Sequence, residues 1–273
     1  MRPVTLAAGL IIVAATAAIP LFDSPYLTAH AARILIYAVF AMSLDLLVGY
    51  CGLVSLGHAA FFGVAAYATA MLAQAGITNV LIALPLSLIA AAAAALVIGL
   101  LTLRMGGIYY IMGTLAFAQM LFFLVNDNDI FGGSDGLLLL DRFSAGIGRV
   151  TLLDLGNATT RYYVIAAVAL ATFIGLWFLV RSPFGRILQG IKSNEQRMRA
   201  LGYPVARYKL GCFVIGGVLA GLAGHLYVVL TSLADPSIVD WLHSAQVLMM
   251  VILGGLGTLI GPAFGAFILI ELI

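Results

Sequence analysis

Four polar side chains interrupt long apolar stretches of this 273-residue sequence: Asp45, Ser55, His58 and Gln119. A carboxylate, a hydroxyl and an imidazole lying this close in sequence could form a hydrolytic set, in which the imidazole activates the serine. The glycines that flank Ser55 favour helix packing over a nucleophile turn, and no G-x-S-x-G motif is present. Neither a metal-ligand spacing nor a G-x-x-x-x-G-K-S/T phosphate loop occurs. The sequence therefore predicts that the chain is not an enzyme, holds no metal or cofactor, and leaves ATP to a partner.

Charged residues are rare throughout the chain. It has 13 basic and 11 acidic residues, or 9% of the sequence, whereas a soluble domain has about 25%. Apolar residues make up 63%, and the mean hydropathy is +1.14. Too little polar surface is available to cover a soluble core, and a net charge of +2 gives no reason to expect a nucleic-acid partner. The composition excludes a soluble enzyme and a disordered protein, and it indicates an integral membrane protein in a lipid bilayer.

The uncharged stretches have the length of membrane-spanning helices, which need about 20 residues each. We predict crossings near 3–22, 33–50, 53–73, 80–103, 106–126, 162–180 and 210–233. Glycines and Pro262 interrupt residues 242–273, so this stretch is one long span, two short ones or a re-entrant segment. The predicted fold is an all-α polytopic bundle that forms a single domain over residues 1–273. It has about eight transmembrane helices, within a range of seven to nine.

The basic residues predict how the chain is oriented. Seven of the 13 lie between Arg181 and Lys209, whereas residues 127–161 carry five acids and three bases. Lys and Arg are retained in cytoplasmic loops, so we expect residues 181–209 and the N-terminus to be cytoplasmic and residues 127–161 to be external. The first apolar run could instead be a cleaved signal peptide, because Ala15-Thr16-Ala17 offers a small-residue cleavage site.

Two segments of the chain resemble each other. Residues 52–61 and 255–264 agree at five of ten positions, which suggests an internal repeat of the kind found in many transporters. The alternative is coincidence between two helices rich in small residues. Glycines spaced four apart let helix backbones approach closely, and they predict packing faces at Gly217, Gly221, Gly257 and Gly261.

Polar groups inside a bilayer indicate function, because an Asp at the centre of a span costs roughly 2.5 to 3.5 kcal/mol. We therefore expect Asp45, Ser55, His58 and Gln119 to line a transport pathway. Two of these side chains have a structural alternative, since His58 and Gln119 could simply form hydrogen bonds between neighbouring helices.

A short helix is predicted within the basic loop. Ser193 and Gln196 fit a capping box, the helix-forming run continues to Leu201, and Gly202 then stops it. Met198 and Leu201 lie three apart and would share an apolar face with a basic rim. Such a helix can dock into a partner protein or lie on anionic lipid head groups.

Several motifs together extend over most of the chain. They are LDLLVGYCGLVSLGHAAFFGVAAY at residues 44–67, GIYYIMGTLAFAQ at 107–119, GGSDG at 132–136, the stretch 182–224, and GGLG at 254–257. These motifs resemble the permease subunits of branched-chain amino acid ABC importers, the LivM type. One difference is that such permeases more usually carry Asn at the position of Asp45.

The resemblance implies a permease subunit in the bacterial inner membrane that takes up leucine, isoleucine or valine. It also implies the partners: a sister permease forming a heterodimer, two cytoplasmic ATPase subunits, and a periplasmic substrate-binding protein that docks on the external loop. The short cytoplasmic helix resembles a coupling helix that contacts the ATPase, with Glu195, Ala200 and Gly202 at the matching positions. Related permeases transport urea or short amides. A different alternative is a stand-alone secondary transporter that uses Asp45 as its ion site.

Overall fold

The structure is a computed structural model that describes residues 24–139, 143–147 and 150–272. The predicted crossing at 3–22 lies outside these residues. The described α-helices are α1 Pro25–Asp45, α2 His58–Gln74, α3 Val80–Thr102, α4 Ile108–Asn126, α5 Ala158–Arg181, α6 Pro183–Ser193, α7 Glu195–Ala200, α8 Val205–Thr231, α9 Trp241–Gly254 and α10 Ile260–Leu272. The described strands are β1 Leu137–Leu138, β2 Ser144–Ile147, β3 Val150–Asp154 and β4 Leu233–Ala234.

Five of the described helical segments are long and apolar enough to cross a membrane. They are α1 with its π-helical continuation Leu46–Cys51, α3, α4, α5 and α8. These segments confirm an all-α membrane bundle. The predicted total of about eight crossings and the cytoplasmic N-terminus stay predictions. Of the three alternatives for residues 242–273, the structure has two short helices, α9 and α10.

Short polar side chains begin several of the long helices. Ser24 precedes Pro25 and accepts a hydrogen bond from the backbone N–H of Leu27. Asn79 and Asn157 start α3 and α5 in the same way. Each side chain satisfies one of the N–H groups that the first helical turn leaves without an intrahelical partner.

The centre of the bundle consists of α1, α2 and α8, and the other long helices lie around it. In the most apolar 18-residue window of α1 and its continuation 89% of residues are buried, compared with 22% in α4 and in α5. Small residues allow the close contacts at the centre. An added Cβ at Gly217 would lie 2.5 Å from Cβ of Ala95, and one at Gly221 would lie 2.5 Å from Cβ of Ala91. Close backbone approach of this kind is how helices associate in a bilayer.

The bundle has two distinct ends. We call the end that carries α6 and α7 the basic end, and the end that carries residues 127–139 and 232–240 the acidic end. At the acidic end, His30 of α1 and Glu271 of α10 lie 3.2 Å apart between Nε2 and Oε1. Helices α9 and α10 therefore form a hairpin that descends from the acidic end and returns to it.

Both copies of the predicted repeat are non-helical where they begin. Residues 52–57 form a first break between the π-helical segment and α2, and residues 255–259 form a second break between α9 and α10. The predicted helix at 53–73 was wrong at its start, because α2 begins only at His58. Apolar composition cannot distinguish helix from buried extended chain, and only the positive φ of Gly52 marks where the helix ends.

The basic end contains two helices rather than one. Helix α6 is amphipathic and buries Gly185, Leu188 and Ile191. The predicted capping residue of α7 was wrong by one position, because Asn194 accepts the hydrogen bond from the N–H of Arg197 and Ser193 ends α6. The predicted stop is present, since Gly202 has a φ of +85° just beyond α7.

Short strands join separate segments of the acidic end. β1 pairs antiparallel with β4, so that Leu137 lies opposite Ala234, and β2 pairs with β3. Gly136 lies directly against the backbone of Ala234, where a side chain would not fit. The GGSDG motif therefore lies beside the segment that leads into α9.

Candidate functional site

Asp45 lies at the end of α1 and is completely buried. Its two carboxylate oxygens accept hydrogen bonds from backbone N–H groups of the second break. Oδ1 is 2.7 Å from the nitrogen of Gly257, and Oδ2 is 3.4 Å from that of Leu259. Backbone groups in a non-helical segment at membrane depth need partners, and Asp45 supplies two of them.

The two breaks also contact each other directly. The hydroxyl of Tyr50, just before the first break, donates to the carbonyl of Gly257 at 2.8 Å. Gly49 leaves room for this contact, because an added Cβ there would lie 2.6 Å from the nitrogen of Gly257. Gly257 itself has a φ of +76°, which few residues other than glycine adopt. The predicted packing residue Gly257 therefore forms a turn between helices.

Lys192 connects the basic end to this pair of breaks. Its Nζ atom, at the end of α6, donates to the carbonyl of Gly49 at 2.6 Å. Carbonyls at a helix C-terminus lack intrahelical partners and carry a partial negative charge, so a lysine ammonium stabilises them. The stem of Lys192 also covers Gly52, where an added Cβ would lie 3.2 Å from its Cγ. A continuous chain of contacts thus extends from α6 through Gly49 to the second break.

The first break has its own polar partners. The N–H of Ala59 donates to the hydroxyl of Ser244 on α9 at 2.8 Å, and that of Leu56 donates to Thr114 on α4 at 3.3 Å. Asp45 of α1 therefore stabilises the second break, and Ser244 of α9 stabilises the first turn of α2, directly after the first break. This reciprocal arrangement places the two repeat segments on opposite sides of one contact.

Ser55 and His58 are both buried at the first break. The Ser55 hydroxyl accepts from the N–H of Gly57 at 3.3 Å, and Nε2 of His58 lies 2.8 Å from the hydroxyl of Ser43. The ring of Phe40 stacks on His58 with centroids 5.6 Å apart. Ser55, His58 and Asp45 thus have separate partners, so the hydrolytic set considered from the sequence is not assembled.

Gln119 lies apart from the other three predicted pathway residues. Its Nε2 donates to Asp240 at 3.2 Å and connects α4 to the start of α9 at the acidic end. Its buried Oε1 has no hydrogen-bond partner among the described residues. The structure thus brings Asp45, Ser55 and His58 to the two breaks and places Gln119 elsewhere.

The three predicted coupling residues lie on or next to α7. Glu195 pairs with Arg199 at 2.5 Å and with Lys209 of α8 at 2.6 Å, which attaches α7 to the bundle. Partial burial alone would raise the pKa of Glu195, but hydrogen bonds from Lys209 and Arg199 outweigh it and hold this pKa below its usual value. Ala200 is exposed, and Gly202 has open space around its α-carbon.

The apolar face predicted for α7 is divided in the structure. Met198 packs against α6, where an added Cβ on Gly190 would lie 2.9 Å from its sulfur. Leu201 instead is 65% exposed. Ala200 and the following Leu201 are therefore the exposed apolar side chains at the end of α7, beside its exposed arginines.

The remaining predicted packing glycine, Gly261, lies in the hairpin of α9 and α10. It faces the backbone of Gly254 closely, and an added Cβ at either residue would overlap the other's carbonyl.

Four residues that contact the breaks or the segments beside them were not predicted from the sequence: Lys192, Ser244, Thr114 and Tyr50. Lys192 was counted only as a loop charge, and the other three lie in apolar stretches whose partners are distant in sequence.

A family model described as branched-chain amino acid transport system / permease component matches residues 26–271. The chain belongs to this family. The match includes α1, both breaks, α7 and the α9–α10 hairpin, which are the elements that form the contacts described above. It agrees with the resemblance inferred from the sequence motifs. Permeases are transport subunits, and nothing in the family match indicates catalytic activity.

Individual relatives are named for different substrates. The high-affinity branched-chain amino acid transport system permease protein LivM of Escherichia coli K12 is 29% identical over 258 residues, which cover 86% of this chain and 60% of LivM. The autoinducer 2 import system permease protein LsrC of Enterobacter sp. strain 638 is 32% identical over 111 residues, or 39% of this chain and 32% of LsrC. The xylose transport system permease protein XylH of E. coli K12 is 29% identical over 103 residues, or 36% of this chain and 26% of XylH.

The chain thus spans 60% of the length of the LivM relative. No solved structure matches it significantly.

Proposed function

We propose that this chain is a transmembrane permease subunit of an ATP-driven ABC importer that takes up branched-chain amino acids. The observation that carries the proposal is the similarity to LivM, which covers 86% of this chain. The similarity to LsrC and XylH covers 39% and 36%. Partial matches of this kind favour a shared transport mechanism, whereas the longer match favours the LivM substrate.

The charge distribution supports an orientation in the bacterial inner membrane. With the basic end in the cytoplasm, α6 and α7 face the side where ATP is available. The acidic end then faces outward, where a substrate-binding protein would deliver the amino acid to the surface formed by residues 127–139. In this orientation α1 descends from the outer face to the cytoplasmic face.

The chain would work with partners. A sister permease would complete the pathway as a heterodimer, and two cytoplasmic ATPase subunits would hydrolyse ATP. Helix α7 has the properties of a coupling helix, since it is short, anchored by Glu195 to Lys209, and presents Ala200 and Leu201 outward. A small exposed side chain at residue 200 allows close approach of a partner surface.

The contact chain at the two breaks provides a mechanism for coupling. Movement of α6 and α7 on ATP binding would move Lys192 relative to Gly49. Because Gly49 and Asp45 both contact Gly257, such movement would shift the second break relative to the first. Breaks in two repeat-related hairpins are where transporters change shape, and a bistable contact there would switch which side the pathway opens to.

Uptake by the assembled importer in proteoliposomes tests the substrate. We expect unlabelled isoleucine and valine to compete with labelled leucine, and urea, acetamide and xylose to leave its uptake unchanged. Competition by urea or acetamide without competition by isoleucine would support the related amide permeases instead.

A pair of variants tests the coupling helix. Ala200→Glu adds bulk and charge to an exposed position on α7, so it should abolish stimulation of ATP hydrolysis by the loaded binding protein while the complex stays folded. Gln189→Glu makes the same charge change on the exposed side of α6 and serves as the control. Equal stimulation in both variants would exclude α7 as the coupling element. Gly202 is less suitable for this test, because its positive φ makes any side chain strain the backbone.

A further inference from the structure

Aromatic rings from four helices meet near the acidic end. The ring of Tyr37 on α1 lies 5.6 Å from His243 on α9 and 6.4 Å from Tyr227 on α8, measured between centroids. Phe62 of α2 lies 5.3 Å from His243 and 5.5 Å from Tyr227. We call Tyr37, Phe62, Tyr227 and His243 the aromatic cluster.

Two opposite charges flank the aromatic cluster. The guanidinium carbon of Arg33 lies 5.9 Å from the centre of the Tyr37 ring, one helical turn closer to the start of α1, and Arg33 is exposed. Asp235 is partly buried and uses Oδ1 to accept hydrogen bonds from Ser237. Asp235 directly precedes the short segment Pro236–Val239, in which Val239 packs against Gly63, the neighbour of Phe62 on α2. Neither charge belongs to an ion pair among the described residues.

Two buried polar atoms at this end of the bundle have no hydrogen-bond partner within the part of the chain that the structure describes. They are Nε2 of His243, whose residue is 8% exposed, and the hydroxyl of Tyr67, whose residue is 3% exposed. His243 belongs to the aromatic cluster, and Tyr67 lies further along α2, where its ring centroid is 6.0 Å from that of Phe131 at the acidic end. Buried polar side-chain atoms in folded proteins usually have a partner, so two unpaired atoms in one region indicate that a polar ligand or ordered water completes them.

We propose that the aromatic cluster and its two flanking charges form a binding site for the zwitterionic head group of a free α-amino acid. Arg33 would take the carboxylate, since a guanidinium matches a carboxylate with two parallel hydrogen bonds. Asp235 would take the ammonium, which aromatic faces also attract. The aliphatic side chain would pack on the rings. The inference rests on the proposed function and adds the site at which this chain first receives the substrate.

The position of the site supports its role as the outer mouth of the pathway. Phe40 lies on the inner side of the cluster and stacks on both His243 and His58, with centroids 5.6 Å apart in each case. His58 is the first residue of α2, directly after the first break. One aromatic ring therefore separates the site from the end of the first break, and we expect a bound amino acid to pass this point only when the break moves. Binding has to be weak for the substrate to leave the site again.

Saturation-transfer NMR on the assembled complex in nanodiscs, without the binding protein, tests this site. The probes are L-leucine, leucinamide, which lacks the carboxylate, and 4-methylpentanoate, which lacks the ammonium. We expect saturation transfer to L-leucine, and transfer to the two analogues at least about tenfold weaker, because a hydrogen bond to a charged group is worth about 1.5–3 kcal/mol. Arg33→Gln and Asp235→Asn should each weaken the L-leucine signal by a similar factor.

Asp129→Asn is the matched control, because it removes an exposed carboxylate at the same end of the bundle. It should leave the L-leucine signal unchanged. Equal signals from L-leucine, leucinamide and 4-methylpentanoate in the wild type would overturn the site, as would unchanged L-leucine binding in both variants. Leucine uptake by the same wild-type complex with ATP and binding protein tests the proposed function separately, so the two failures are distinguishable.

Discussion

At the residue scale, several polar side chains inside the apolar bundle accept hydrogen bonds from backbone N–H groups. Asp45 and Thr114 accept hydrogen bonds from N–H groups in the two breaks, and Ser244 accepts one from the first turn of α2. The sequence identified Asp45 as a costly polar group, because a carboxylate in a bilayer needs a reason to be there. It could not identify the partners, since Gly257 is 212 residues away along the chain. The chemistry of a buried side chain was predictable, whereas its contacts depended on the tertiary fold.

Substitutions of Asp45 test its structural role. Asp45→Asn retains one acceptor oxygen and should leave one of the two backbone N–H groups without a partner. Asp45→Ala removes both acceptors. An unsatisfied buried donor costs about 1–3 kcal/mol, so thermal unfolding in detergent should show the midpoint falling from wild type to Asn and further to Ala. Asp129→Asn, at an exposed position, should not change the midpoint. An Asp45→Ala variant as stable as the wild type would contradict the role assigned to this carboxylate.

At the element scale, local sequence signals predicted helix ends better than helix breaks. The stop of α7 at Gly202 was predicted because a glycine after a helix-forming run has a specific backbone role. Helix α6 was missed, since its apolar positions were obscured by the basic residues of the loop. The first break was interpreted as helix because residues 53–57 are as apolar as the helices around them. Thr114 of α4 accepts a hydrogen bond from the break, and Ser244 of α9 accepts one from the turn that follows it; these partners are distant in sequence, so no local pattern could show them.

Lys192 should be necessary for coupling between the helices of the basic end and the breaks. Lys192→Met removes the hydrogen bond to the Gly49 carbonyl while keeping an apolar stem over Gly52. We expect stimulated ATP hydrolysis to continue and leucine uptake per ATP to fall about tenfold, since hydrogen bonds to charged groups contribute about 1.5–3 kcal/mol. Arg186→Met removes an exposed basic residue from the same helix and is the control. Full uptake per ATP in both variants would contradict the role of Lys192 in coupling.

The attachment of α7 should weaken in acid. The pKa of Glu195 is held below its ordinary value of 4.5 by Lys209 and Arg199. Its ion pairs therefore stabilise α7 fully above pH 4.5, and this contribution is lost as the pH falls from 4.5 through the lowered pKa. Hydrogen exchange at the amides of α7, corrected for intrinsic rates, should show constant protection from about pH 7 to about pH 5 and should lose protection as the pH falls below about 4.5.

In Glu195→Gln the titrating group is absent, so this pH dependence of protection in α7 should be much smaller. The wild type should also be less protected in high salt, because the ion pairs are partly exposed and ions screen them. Identical pH profiles for the wild type and Glu195→Gln would show that Glu195 does not anchor α7.

At the scale of the whole molecule, the number and positions of the charged residues were the main basis for predicting the fold class. The scarcity of charged residues indicated a membrane bundle, and the family match confirms a transport permease. The similarity between residues 52–61 and 255–264 suggested a repeat. The direct contact between the two breaks was not predictable, because sequence similarity within a chain does not reveal which repeat elements meet. That contact connects the helices of the basic end to the centre of the bundle.

The central claim is that this chain transports branched-chain amino acids only as part of an ATP-driven assembly. The most direct measurement is uptake of labelled L-leucine into proteoliposomes that contain either the chain alone or the chain with its sister permease, ATPase subunits and binding protein. We predict no uptake by the chain alone under an imposed proton or sodium gradient, and uptake by the assembly that requires both ATP and the binding protein. Gradient-driven uptake by the chain alone, without ATP, would contradict the account and indicate a secondary transporter.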